Sequence, residues 1–195
     1  MRETLSLIAG VDEVGKGSLF GPVFAGAVIL SKENEFKLLS NGLKDSKKLN
    51  PRQRKNLVPL IKEHSIAWAL GQASAREIDN IGIREATEKA MIRALKKFST
   101  PPDLTLVDGI LPIRCWHGTQ KNQVRGESHF PSIAAASVLA KESRDSLIKR
   151  LAEKYPFYGL EKNMGYGTEF HRSNLIKSGL SKLHRKSFLT RMNLD

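Results

Sequence analysis

The sequence predicts an α/β fold in which a mixed β-sheet is flanked by helices, and three observations carry that prediction. Two apolar runs, Leu7, Ile8, Ala9 and Val11 and then residues 23–29, are separated by the turn punctuation of Gly15, Gly17, Gly21 and Pro22, which reads as two sequential strands. Shorter apolar runs at 66–73 and 104–107 bracket a segment with helical spacing. A long helix with one apolar face begins at Pro131. Strands joined partly to each other and partly through helices form a mixed sheet with helices packed against it.

Taken in order, residues 5–30 form strand, glycine-rich turn and strand, with Asp12 and Glu13 where the first strand ends. Residues 31–50 are polar and read as irregular; they include Leu43-Lys44-Asp45-Ser46-Lys47-Lys48-Leu49. A helix follows to His64, because Asn50 can cap it, Pro51 suits its first position, and Leu57, Leu60 and Ile61 form a core-facing stripe. Residues 66–73 are a third strand. Over 78–98, Ile83, Ala86, Ala90, Met91, Ala94 and Leu95 recur at helical spacing, with a break at Gly82 and a stop at Thr100-Pro101-Pro102. Residues 104–107 are a short strand finishing in Asp108-Gly109. The weakly patterned 110–126 contains a short fifth strand at 120–124. From Pro131, Ile133, Ala136, Leu139, Ala140, Leu147, Ile148 and Leu151 keep one face apolar as far as Tyr155-Pro156. Residues 157–195 mix Gly, Tyr and basic residues around one short helix at 169–178. A chain of 195 residues with no repeat or linker suits one domain, or one domain with a small appendage.

Lys and Arg number 32 against 20 Asp and Glu, a formal charge of +12 that points to a polyanionic partner. A solubilising surface competes with that reading, since no block forms a dense basic tail. The single cysteine, Cys115, excludes an intrachain disulfide and a Cys-based metal site, fits a reducing cytoplasmic compartment, and reads as a packed small side chain. Met1-Arg2-Glu3-Thr4 reaches core-like sequence too quickly for a signal peptide, and no apolar run approaches membrane-spanning length, so a soluble cytoplasmic protein is expected. A carboxylate at the end of a buried strand is costly unless it is paired or holds a metal, so Asp12-Glu13 suggests a cation site; solvated turn residues fit the pair equally well. Asp108 ends a later strand and Glu127 precedes the long helix. Ligands collect at one set of strand ends in such sheets, which makes the four acids candidates for one site.

Several motifs in this order resemble ribonuclease HII, the bacterial type 2 ribonuclease H. They are Asp12-Glu13-Val14-Gly15-Lys16-Gly17, Leu19-Phe20-Gly21-Pro22-Val23, Asp45-Ser46-Lys47-Lys48-Leu49, Leu106-Val107-Asp108-Gly109, residues 131–141 with Arg144-Asp145, Gly165-Tyr166-Gly167-Thr168 and His184-Arg185-Lys186-Ser187-Phe188. The resemblance covers nearly the whole chain. It implies a ribonuclease H-like mixed sheet over 1–155 and a small helical C-terminal extension over 156–195 that contacts substrate. It implies an endonuclease that cuts RNA in RNA/DNA hybrids and 5′ of single ribonucleotides in duplex DNA, leaving a 3′-hydroxyl and a 5′-phosphate. Asp12, Glu13, Asp108 and Glu127 would be catalytic and would hold two Mg²⁺ or Mn²⁺ ions, Asp12 shared between them; these hard cations prefer carboxylate oxygens. Gly15, Lys16 and Gly17 would read the 2′-hydroxyl. Tyr166 would stack on the neighbouring deoxyribose, and Ser46, Lys47, Lys48 and Arg185 would bind substrate, the lysines by gripping phosphates.

The chain departs from the family pattern at Lys16 and Lys186, where the family has arginine, at Glu127, where it has aspartate, and at Gly82, where it has asparagine. Two other readings stand beside the enzyme: a non-catalytic nucleic-acid-binding relative, and the sister ribonuclease HIII. The second ranks lower because only residues 1–11 precede Asp12 and that type carries an extra N-terminal domain. A monomer is expected, with no clamp-binding tail evident near Asp195.

Overall fold

The computed structural model describes residues 6–190, so the readings placed on Met1-Arg2-Glu3-Thr4 and on the tail near Asp195 lie outside the described residues. Five strands, β1 (Ile8–Val14), β2 (Val23–Ile29), β3 (Ala67–Ala73), β4 (Leu104–Asp108) and β5 (Gln120–Gln123), form one mixed sheet in the order β3-β2-β1-β4-β5. The chain-adjacent strands β1, β2 and β3 are antiparallel, and β1, β4 and β5 are parallel. Every residue of β2 is buried, as expected for an interior strand with helices on both faces.

The helices are α1 (Lys32–Ser40), α2 (Pro51–His64), α3 (Ala75–Leu95), α4 (Pro131–Lys154), α5 (Leu160–Asn163) and α6 (Glu169–Ser178). One face of the sheet buries Val11, Ala25 and Ala27 against Ala86, Ala90 and Met91 of α3. The other buries Val28 against α1, α2 and α4 through Leu38, Leu57, Ile61, Val138 and Leu139. Helix α4 lies close on the sheet because β1 and β2 carry glycine beneath it: a Cβ at Gly10 would collide with Ile133 and one at Gly26 with Ala136. Gly26 is the register partner of Asp12, so this close approach brings α4 to the strand position that carries the first acid.

Most elements lie where the sequence placed them. Asn50 forms a reciprocal capping box with Gln53 at the start of α2. Helix α3 breaks at Gly82, whose φ of 78° and ψ of 158° only glycine adopts readily, and it begins earlier than expected because Ser74 and Glu77 form a second capping box. Residues 31–50 are not irregular: they hold α1, capped by Ser31, and a one-turn 3-10 helix, Ser46–Lys48. Cys115 is exposed, correcting the expectation of a packed side chain. In the C-terminal segment α5 and short turns accompany the expected α6. Leu160, Leu175 and Leu189 of that segment share a core with Leu19, Phe20 and Ile148. Among the described residues no helix is long and apolar enough to cross a membrane.

Candidate active site

Strand β1 continues through both acids to Val14, so Asp12 and Glu13 point to opposite faces of the sheet. Asp12 is 4% exposed on the α4 side. Asp108 ends the parallel neighbour β4, and Glu127 sits in a one-turn 3-10 helix, Gly126–Ser128, just before α4. Carboxylate oxygens of Asp12, Asp108 and Glu127 lie within 4.8 Å of one another. Local hydrogen bonds aim two of them: Asp12 Oδ1 accepts from the Glu13 N–H at 2.7 Å, and Asp108 Oδ1 from the Gly126 N–H at 2.6 Å.

Glu127 is held differently. Its Oε2 accepts from the Ser46 N–H at 3.0 Å and the Ser46 hydroxyl at 2.9 Å, while Lys47 Nζ lies 3.3 Å from Oε1. The Ser46 hydroxyl also meets Ser137 Oγ of α4 at 2.9 Å. Ser46, expected at the substrate, is thus buried behind an acid, and Ser137, which sequence reasoning counted only within a helix, joins the same network. A hydroxyl interrupting the Ala and Val face of α4 was the available signal.

The environments push the three acids apart. Burial, then the charge of Glu13, drive the Asp12 carboxyl well above the ordinary aspartate range. Burial also raises Asp108, against the Gly126 N–H. Burial works against Glu127 too, but the Ser46 N–H, the Ser137 and Ser46 hydroxyls and Lys47 outweigh it and bring that carboxyl below its usual value. Three crowded carboxylates with one nearby lysine are the hard-oxygen donor set a divalent cation prefers, and no His or Cys shares the cluster. The residues fit such an ion.

Glu13 stands outside this trio and pairs with Lys16 at 3.1 Å. It nonetheless shares with Asp108 and Lys16 the wall of a pocket of about 210 Å³, whose far side is Arg84 and Glu88 of α3. The turn after β1 is tight at Gly15, where φ is +86°, while Lys16 and Gly17 are exposed. Gly17 has neither a positive φ nor a crowded neighbourhood: a Cβ there would meet nothing within 4 Å. Tyr166, distant in sequence, is brought beside this turn. Ser18 forms an isolated antiparallel bridge with it, and the Leu19 N–H and Ser18 hydroxyl donate to the Gly165 carbonyl at 2.9 and 2.8 Å. Lys47 and Lys48 are exposed. Arg185, expected at the substrate, is fully buried and donates to the carbonyls of Lys16 and Gly21 at 3.0 and 2.9 Å.

The family model described as Ribonuclease HII matches residues 9–192. A protein named Ribonuclease HII from Prochlorococcus marinus (strain NATL1A) is 77% identical over 195 residues, covering 100% of both chains. Among solved structures, the ribonuclease H2 of Pyrococcus horikoshii OT3 is similar with a TM-score of 0.81 and 25% identity over 93% of each chain. The structure of the PCNA:RNase HII complex from Archaeoglobus fulgidus is similar with a TM-score of 0.80 and 27% identity over 96% of each chain.

Proposed function

Because the chain belongs to the ribonuclease HII family, metal-dependent ribonucleases H that act on RNA/DNA hybrids, we propose that this protein also cuts 5′ of single ribonucleotides embedded in duplex DNA. Hydrolysis leaves a 3′-hydroxyl and a 5′-phosphate. The observation that carries the reading is the convergence of Asp12, Asp108 and Glu127 at the end of the strand that turns directly into Gly15-Lys16-Gly17 beside Tyr166. Asp12, Glu13, Asp108 and Glu127 would hold two Mg²⁺ or Mn²⁺ ions. Bound there, the ions supply activation of the attacking water and stabilisation of the leaving 3′ oxygen.

The protein's own residues do the rest. The Ser46 N–H and hydroxyl keep Glu127 ionised and aimed, and Lys47 sits where it partly offsets the cluster's negative charge. The open face of Gly17 leaves room for a ribose to approach the backbone, which can exchange hydrogen bonds with a 2′-hydroxyl. Tyr166 then offers its ring to the adjoining deoxyribose. Lys16, Lys47 and Lys48 are exposed cations that contribute salt-dependent phosphate contacts without sequence preference. In this reading residues 156–195 act as the substrate-contacting extension.

The test is a duplex carrying one ribonucleotide, incubated with the protein and Mg²⁺ or Mn²⁺. A nick 5′ of the ribonucleotide supports the proposal. A shifted but uncut duplex with either metal would instead make this chain a non-catalytic binder.

A further inference from the structure

Beneath residues 15–22 lie two fully buried guanidiniums, and among the described residues neither has a carboxylate partner within salt-bridge distance. Arg144, on α4, donates from Nε to the Pro22 carbonyl at 3.0 Å, from Nη1 to the Met164 carbonyl at 2.9 Å, and from Nη2 to Ser18 Oγ at 2.7 Å and the Phe20 carbonyl at 3.0 Å. Its Cζ stands 5.6 Å from the centroid of the Tyr166 ring. A Cβ on Gly15 would collide with its Nε. One side chain therefore touches both halves of the proposed reading device, the turn that follows β1 and the tyrosine some 150 residues later in the chain. Arg185 adds bonds to the Lys16 and Gly21 carbonyls but stacks on Phe188 rather than on Tyr166.

A buried cation without a counter-ion is a costly way to fill space, and an apolar side chain of similar volume holds a merely structural position at least as well. What an apolar side chain cannot supply is a rigid planar fork that binds acceptors from separate segments at once. We infer that Arg144 is a positioning residue that fixes the Gly15-Lys16-Gly17 turn against the Tyr166 ring, and thereby sets the preference for a single ribonucleotide over a continuous hybrid. This inference rests on the function proposed above for the turn and Tyr166. Arg144 reaches substrate only through them, since its own donors are all engaged by protein acceptors or covered.

The experiment compares kcat and KM on a duplex with one ribonucleotide and on a continuous RNA/DNA hybrid. Arg144→Lys keeps the charge and removes the fork. It is expected to fold, to retain the wild-type rise in melting temperature with Mn²⁺, and to lose about tenfold in the ratio of kcat/KM between the two substrates. In a Tyr166→Ala background the same substitution moves that ratio by less than about twofold, because two residues acting as one unit are not additive. Ser18→Ala removes one acceptor and shifts the ratio in the same direction by a smaller factor, which keeps the test decisive if Arg144→Lys does not fold. An unchanged ratio in the folded variants, or equal losses on both substrates that track melting temperature, overturns the inference. A wild-type protein that cuts neither substrate sinks the proposed function instead, so the two failures are distinguishable.

Discussion

At one end of the sheet Asp12, Asp108 and Glu127 crowd three carboxylates within 4.8 Å, while the C-terminal segment and the middle of α4 bury Arg144, Arg185, His171 and His184. Both clusters concentrate like charges or chargeable groups, yet only one is complete in itself. The basic cluster spends nearly all its donors on acceptors of the fold, with Arg185 Nη2 the exception. Its histidines form a chain with one consistent proton assignment. The Ser181 N–H donates to His184 Nδ1 at 2.9 Å, so His184 carries its proton on Nε2 and gives it to His171 Nε2 at 3.1 Å. His171 Nδ1–H then donates to the Tyr166 carbonyl at 2.9 Å. The acid cluster has no such closure: its most buried member, Asp12, is raised by burial and by Glu13, and Lys47 reaches only Glu127. A closed cluster holds geometry, whereas an open one calls for a cation.

The largest way to break that contrast is Asp12→Asn. Removing one charge from the open cluster lowers ribonucleotide nicking by about a thousandfold or more, because a lost metal ligand forfeits several kcal/mol of transition-state stabilisation. The metal-free variant should melt higher than the wild type, by an amount worth roughly 1 kcal/mol, since it no longer buries a repelled carboxylate. Nicking assays and melting curves with and without Mn²⁺ check both halves. A variant that nicks normally, or that loses stability along with activity, would show Asp12 to be a structural acid.

The contrast also explains what the sequence disclosed. Strands and long helices were legible because their apolar residues repeat on one face; α1 was not, because only Leu38 of it is buried while Phe36 and Leu39 face outward. The acids Asp12, Glu13, Asp108 and Glu127 were legible as a candidate set from their places at strand ends and before the long helix, and then from family motifs; three of them, Asp12, Asp108 and Glu127, bring carboxylate oxygens together. Membership of the ribonuclease HII family removes the ribonuclease HIII alternative. Asp12 and Glu13 are adjacent in sequence, but strand alternation sends Glu13 to the α3 side beside Lys16, where it shares a pocket wall with Asp108. Ser46 and Arg185 were expected at the substrate because the family motifs contain them, whereas both are buried and their partners, Glu127 and the Lys16 carbonyl, lie 81 and 169 positions away. Arg144 stood only within a family motif and Ser137 only on a helix face, where its hydroxyl was the one local signal. Hydrogen bonds across such separations follow from the packing of α4 on the sheet, which no local pattern encodes.

A smaller perturbation strikes the closed cluster with acid. Burial and the neighbouring His171 push His184 down to about 4, and burial lowers His171 as well. The unfolded chain binds these protons near pH 6.5, the native protein only well below it, so the unfolded state is favoured as pH falls through that window. Stability should therefore decline between about pH 6.5 and 4, by an amount of the order of 3 kcal/mol from His184. His184→Gln offers a donor near the Nε2 position and does not titrate, so it should flatten this part of a melting-temperature profile. An unaltered acid slope in that variant would mean that the histidine chain is not closed as described.

The smallest expected effect on the fold, and the sharpest on the boundary between the two clusters, comes from Gly17→Ala. At Gly15 the backbone itself requires glycine, with φ of +86° and Arg144 packed beneath; at Gly17 neither condition holds. An added methyl group there meets open space, and replacing a glycine in an ordinary backbone region stabilises by about 0.4–1 kcal/mol through the unfolded chain. The melting temperature should accordingly hold or rise slightly. Cleavage should nevertheless fall by roughly tenfold, because a close backbone approach to a ribose leaves no room for a Cβ and forfeits about one hydrogen bond. Gain of stability with loss of cleavage would locate the reason for this glycine in the substrate rather than in the protein. Full activity in Gly17→Ala would move the reading of the 2′-hydroxyl away from this turn, and leave the buried scaffold of Arg144 and Arg185 supporting a loop without that role.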